Sequence, residues 1–142
     1  MPCRLVLDTN VVLDLFHFAD AAALPILSAL EEGRAECLAT AEMLDELARV
    51  LTYPELRIDA DAAVSIRQRY QALCRCVEPP APVVGLPRCR DADDQKFLEL
   101  AARIGADYLI SKDRALLELA RTPGLGFAIL SPAAAAAKLA SG

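Results

Sequence analysis

The run Arg4-Leu5-Val6-Leu7-Asp8 constrains this chain more than any other segment. A short, continuous apolar stretch is the mark of a strand buried on both faces, and such strands belong to parallel sheets covered by helices. A second run of the same kind, Tyr108-Leu109-Ile110-Ser111-Lys112-Asp113, lies far downstream. Each delivers a carboxylate at the carboxyl end of its strand. In open α/β sheets that edge is where ligands bind, at the point where the strand order reverses. Two acids brought there from separate strands point to a site for a cation.

The rest of the chain alternates between strand and helix patterns. Strands are predicted at residues 3–7, 36–39, 75–77, 107–110 and 127–130. Between them, residues 11–18 read as a short apolar turn or helix, and residues 21–32 as a helix stopped at Gly33. A helix over residues 41–51 ends before Pro54, whose ring and missing N–H prevent continuation. Asp59 or Asp61 can cap the next helix, which runs to about Leu73. Residues 94–104 form a helix ended by Gly105, and residues 114–120 another. Ser131 as cap and Pro132 at the first position start a closing helix over residues 133–139. The one clear loop spans residues 78–91 and carries Pro79, Pro80, Pro82 and Pro87. This alternation implies a parallel sheet between two helical layers. One three-layer α/β/α domain then accounts for residues 1–142, a length that can bury a sizeable core.

Composition narrows the function classes. Hydrophobic residues make up 55% of the chain, yet no apolar stretch reaches the roughly 18–20 residues needed to cross a bilayer. Arg4 and Asp8 interrupt any signal-peptide core, so a cytoplasmic protein without a membrane partner is expected. Cys3, Cys37, Cys74, Cys76 and Cys89 form no C-x-x-C pair and have no histidines at zinc spacing. Most of them are expected to act as buried small hydrophobes. His17 is the single histidine, no nucleophile motif accompanies it, and no glycine-rich phosphate loop is present. Asp8-Thr9-Asn10 lacks the second aspartate at plus two expected for aspartyl-phosphate chemistry. The net charge of −5 argues against a plain electrostatic binder of nucleic acid. Four carboxylates serving as metal ligands would move that balance from −5 to −1, and the cations they hold would attract phosphate.

Four acids are candidates. The stripe Met43, Leu44, Leu47, Val50 and Leu51 advances at about 100° per residue and leaves Glu46 at its flank. Glu42 lies further round and Asp45 opposite. The alternative for Glu46 is a solvated side chain paired with Arg49 or another neighbour. In Asp91-Ala92-Asp93-Asp94 three acids crowd a helix start, more than one cap requires. Asp94 continues the buried stripe of Phe97, Leu98, Ala101 and Ile104 toward its N-terminal end. Asp8 and Asp113 could each cap the helix that follows. Together Asp8, Glu46, Asp94 and Asp113 are four carboxylates from four segments. An all-oxygen donor set suits Mg²⁺ or Mn²⁺, ions that activate water and stabilise in-line displacement at phosphorus. Lys112 and Arg114 flank Asp113, either as contacts to an RNA backbone or as exposed charge.

Leu5-Val6-Leu7-Asp8-Thr9-Asn10-Val11, the acid-bearing helix at Glu46, Asp94-Gln95-Lys96-Phe97-Leu98-Glu99-Leu100-Ala101 and Leu109-Ile110-Ser111-Lys112-Asp113 occur in the order seen in PIN domains. The chain most resembles the branch described as toxin components of toxin–antitoxin systems, similar to VapC. That resemblance implies a five-stranded parallel sheet of order 3-2-1-4-5 and a Mg²⁺- or Mn²⁺-dependent ribonuclease. It carries the metal-binding and catalytic roles onto Asp8, Glu46, Asp94 and Asp113. Thr9, Asn10 and Ser111 become supporting polar positions. Asp91 is expected to assist the site, and Asp93 to be a cap or solvated. Products would carry a 5′-phosphate and a 3′-hydroxyl. RNA, an antitoxin protein and a second copy of the chain are the partners implied. The alternative is a PIN-like module that binds RNA or protein without cutting, since a fold can outlive its chemistry.

Overall fold

Leu5, Val6 and Leu7 are sealed from solvent on both sides, as a central strand requires. In the computed structural model, which describes residues 2–79 and 81–140, they belong to β1 (Cys3–Leu7). Flanking it are β2 (Ala35–Ala39) and β4 (Tyr108–Ile110), with β3 (Cys74–Cys76) and β5 (Ala128–Leu130) at the edges. All four pairings are parallel and the strand order is β3-β2-β1-β4-β5. The chain leaves β1 toward β2 and later returns to the other side at β4. The order therefore reverses between β1 and β4, where Leu7 lies opposite Ile110.

Side chains alternate across the sheet. Leu5, Leu7 and Ile110 join one apolar core with α1 (Thr9–Phe16), α2 (Leu24–Glu31), α4 (Ala60–Leu73) and α7 (Pro132–Leu139). Val6, Leu109 and Ile129 join the other, filled by Phe97, Leu98, Leu100 and Ala101 of α5 (Gln95–Ile104) and by Leu116 of α6 (Arg114–Leu117). Helix α3 (Ala41–Val50) straddles both, giving Met43 to one core and Leu47 to the other. The result is the α/β/α sandwich that the strand–helix alternation implies.

Several boundaries differ from the sequence reading for local reasons. Helix α1 begins at Thr9 rather than residue 11, because the Asp8 carboxylate accepts from the Asn10 N–H and starts the turn early. Of the two candidate caps for α4, Asp59 accepts from the Ala62 N–H at 2.7 Å. Strand β3 follows α4 without a loop and so starts at Cys74. A 3-10 turn (Ala92–Asp94) precedes α5. Helix α6 stops at Leu117, after which Leu119 and Ala120 bond three residues back, in a tighter turn. Gly105, at φ 66°, takes the left-handed conformation that ends α5, where its N–H donates to the Ala101 carbonyl. The cysteine expectation holds only for Cys37 and Cys89. Cys74 is half-buried and Cys76 exposed on the edge strand β3, and Cys3 is half-buried at the start of β1. Pro80 lies outside the described residues. Among those described, no single helix is long and apolar enough to cross a membrane.

Phe97 is 1% exposed at the centre of the second core. Truncation to alanine removes its contacts and leaves a cavity. Phe97→Ala should therefore lower the unfolding free energy by about 3–5 kcal/mol, as read from the urea midpoint at unchanged slope.

Candidate metal centre

The first carboxylate is delivered by the sheet itself. Asp8 follows β1 directly, and its N–H donates to the Ile110 carbonyl at 3.0 Å, continuing the β1–β4 ladder by one residue. Its side chain is buried, with the residue only 5% exposed. Ser111, fully buried at the end of β4, donates its hydroxyl to Asp8 Oδ2 at 2.6 Å. The same Ser111 Oγ accepts from the Asp113 N–H at 2.9 Å. One hydroxyl therefore ties the ends of both strands together. Asp8 Oδ1 accepts from the Asn10 N–H and Asp113 Oδ1 from the Ala115 N–H. Both acids cap helices, as the plain alternative holds, and both also face a common cleft.

Glu46 projects from the flank of α3. Thr9 Oγ1 donates to its Oε2 at 2.5 Å and Lys96 Nζ to its Oε1 at 2.9 Å. The neighbouring cation that pairs with it is therefore Lys96 from α5. Asp94 is half-buried and does not cap α5 with its side chain. Capping of the preceding turn falls to Asp91, whose Oδ1 accepts from the Asp93 N–H at 3.0 Å. Asp94 Oδ2 is buried and takes no hydrogen bond from a protein donor. Its carboxyl group lies beside that of Asp113. Oxygens of Asp91, Asp94 and Asp113 all lie within 4.8 Å of one another.

Such crowding is electrostatically costly. Burial, then the hydrogen bond to Asp113 and the charges of Asp8, Asp113 and Asp91, push Asp94 up to about 8. Asp113, which accepts that bond and the Ala115 N–H, is held below the usual carboxylate range. Burial also raises Asp8, and hydrogen bonds from Ser111 and Asn10 only partly offset it. Like charges that cannot all ionise together are the usual signature of a site built around a neutralising partner.

A cleft of about 370 Å³ is lined by Asp8, Thr9, Asn10, Glu46, Asp91, Asp93, Asp94 and Asp113. Every acid named from the sequence as a ligand candidate is thus on one surface. Ser111 sits beneath it. Lys112 and Arg114 are not among its lining residues, and Lys112 Nζ is 2.9 Å from Asp14 Oδ1 instead. Asp14 is buried and carries a second oxygen without a partner. Glu42, Asp45 and His17 also lie outside the lining, and the His17 ring packs tilted against Phe18 at 4.6 Å between centroids. Sequence reasoning missed Tyr53 and Glu55, which complete the cleft with Leu13, Val50 and Leu56. Tyr53 falls between the helix over residues 41–51 and Pro54, and nothing local in the sequence shows that this corner faces the acids. The role of Lys96 was missed as well, although it stands two residues after Asp94. A further hollow of about 240 Å³, between residues 83–87 and 122–127, has no ionisable side chain and so no acid–base or metal chemistry.

The donor set fits a divalent cation. It consists of oxygens alone, suited to Mg²⁺ or Mn²⁺. The buried Asp94 Oδ2 has no hydrogen-bond partner, and a cation would satisfy it. The fold is a parallel α/β sandwich with carboxylates gathered at the switch point of the sheet. The PIN domain profile matches residues 4–115, and the chain belongs to the PIN domain family. This is a nuclease fold, and its members are generally metal-dependent nucleases. The solved structure of PAE2754 from Pyrobaculum aerophilum is similar in fold, with TM-score 0.66 at 17% identity. That similarity covers 99% of this chain and 91% of that one. No curated protein matches the chain in sequence.

Two measurements probe this geometry. Folded Asp94 keeps its proton to about pH 8, whereas its ordinary value is 3.8. Between those values the folded state binds the extra proton, so metal-free stability should fall as pH rises from about 4 to 8. Asp8 acts in the same direction, and the lowered Asp113 matters only below its ordinary value. Thermal unfolding should show this slope, and Asp94→Asn should flatten it. In Ser111→Ala, Asp8 and Asp113 lose their common anchor. Mn²⁺ affinity should drop about 10- to 100-fold by titration calorimetry, as for other outer-sphere partners.

Proposed function

We propose that this PIN-domain protein is a Mg²⁺- or Mn²⁺-dependent endoribonuclease that hydrolyses RNA phosphodiester bonds. The observation that carries the reading is the convergence of Asp8, Glu46, Asp94 and Asp113 from four separate segments on one cleft. Asp8, Asp94 and Asp113 would hold the cation directly, with Asp91 at the exposed rim. Glu46 stands at the flank, oriented by Thr9 and Lys96. A bound divalent ion supplies Lewis-acid chemistry there, lowering the pKa of water and stabilising charge on phosphate oxygens. The chain's own contribution is orientation. Ser111 fixes which oxygen of Asp8 faces the cleft and sets the height of Asp113. Asp94 carries a proton near neutral pH that cation binding must displace, so metal affinity should rise with pH.

The motif order further supports a toxin of a toxin–antitoxin pair, acting in the cytoplasm on RNA and held by an antitoxin protein, with a homodimer as the working assembly. Growth arrest on expression, absent in Asp8→Asn, would support this role, and unimpaired growth would count against it. A second reading, a PIN-like module that binds without cutting, is favoured by one feature. Both oxygens of Glu46 are already engaged within the protein.

Cleavage of mixed single-stranded and structured RNA separates the two. The nuclease requires Mn²⁺ or Mg²⁺, stops in EDTA, and is lost in Asp8→Asn and Asp94→Asn while the fold persists. Undiminished cleavage by a purified, folded Asp8→Asn variant would refute the site. RNA binding that ignores metal, with no cleavage by wild type, would establish the module instead.

A further inference from the structure

An acidic cleft must hold an acidic polymer if this protein cuts RNA. Seven carboxylate side chains line the cleft and no lysine or arginine does. Three of the basic residues close to the site acids in sequence are already paired, and Arg49 and Arg114 stay outside the cleft lining. Lys96 pairs with Glu46, Lys112 with Asp14 and Arg90 with Glu118. Ion pairs to phosphate, which supply most of the affinity of ordinary nucleic-acid binders, are therefore scarce here. Beyond the cation, the strand has to be held by something uncharged.

The cleft has such a surface. Its remaining wall is Leu13, Val50, Tyr53 and Leu56. Tyr53 is 47% exposed, one of five large hydrophobic side chains left open among the described residues. Of these five only Tyr53 lines the cleft, and Phe18, Leu24, Val64 and Val84 do not. Its backbone is held on both sides. The N–H donates to the Val50 carbonyl at 3.0 Å and the carbonyl accepts from the Leu56 N–H at 3.1 Å. Pro54 follows, so the ring stands on a short, constrained corner between α3 and a 3-10 turn.

We infer that Tyr53 is a stacking platform for an unpaired nucleobase of the strand held in this cleft. The inference rests on the ribonuclease reading and adds the contact that holds the strand. An aromatic ring takes any base by its face, so the contact is tolerant of sequence. A base inside a duplex is already stacked on both sides and cannot offer its face. With few ion pairs involved, binding should also depend weakly on salt. A volume of about 370 Å³ falls within the range of clefts that enclose small ligands, roughly 300–1,000 Å³.

The test uses a labelled, unstructured ribo-oligonucleotide, its duplex with the complementary strand, and an abasic oligomer of the same length. Binding in Ca²⁺ is followed by fluorescence anisotropy for wild type, Tyr53→Ala and Tyr53→Phe, and KM and kcat are measured in Mn²⁺. The single strand should bind wild type and Tyr53→Phe alike, and Tyr53→Ala about tenfold or more weakly. Duplex and abasic oligomer should bind no better than the single strand binds Tyr53→Ala. In cleavage, Tyr53→Ala should raise KM and leave kcat in place. The chain contains no tryptophan, so Tyr53→Trp adds a single reporter whose emission the unpaired strand alone should quench. Cleavage by wild type with unchanged binding and KM in Tyr53→Ala, or equal affinity for the duplex, would overturn the stacking contact and leave the nuclease standing. Tyr53-dependent binding without cleavage would do the reverse. A folded wild type that neither binds nor cuts would overturn both.

Discussion

The Ser111 hydroxyl is the contact on which the site depends. It donates to Asp8 at the end of β1 and accepts from the backbone of Asp113 beyond β4. Those two strands are neighbours only because the chain reverses its order between them. The β1–β4 register, with Leu7 opposite Ile110, puts Asp8 level with Ser111. A slip of one residue would turn Asp8 toward the other side of the sheet. The apolar residues that lock this register are thus also the residues that aim the carboxylates.

Around that anchor the protein concentrates negative charge that it does not neutralise. Asp91, Asp94 and Asp113 approach within 4.8 Å, and the proton retained by Asp94 is the cheapest relief available without a cation. Most other acids near the site have a counter-charge or a donor: Glu46 has Lys96 and Thr9, and Asp14 has Lys112. Asp94 Oδ2 has neither. Buried polar atoms are normally satisfied because desolvation without a partner is expensive. One of the two exceptions among the described residues, Asp94 Oδ2, falls where three carboxylates meet, which is where a divalent ion would restore the balance.

Capping and catalysis-ready placement are not competing explanations here. Asp8 and Asp113 each accept a backbone N–H from the helix that follows, and the cap holds one oxygen of each carboxylate in a fixed direction. Asp94 shows the contrast. It occupies a helix start yet leaves capping to Asp91, so its side chain is spare for the cleft.

The sequence by itself determined the layered architecture and the supply of acids. Leu5-Val6-Leu7 and Leu109-Ile110 could only be strands buried on both faces, and periodicity put Asp94 inward and Glu46 at a flank. Those are local properties, set by side-chain spacing along one element. Tertiary structure decided which charges pair and what forms the far wall. Lys112, adjacent to Asp113 in the chain, turns to Asp14, and Lys96 reaches Glu46 across a separation of fifty residues. Tyr53 enters the cleft because the corner after α3 folds over the acids. Pairings of this kind depend on how helices pack against the sheet, and no period within a single segment encodes the distance between two of them.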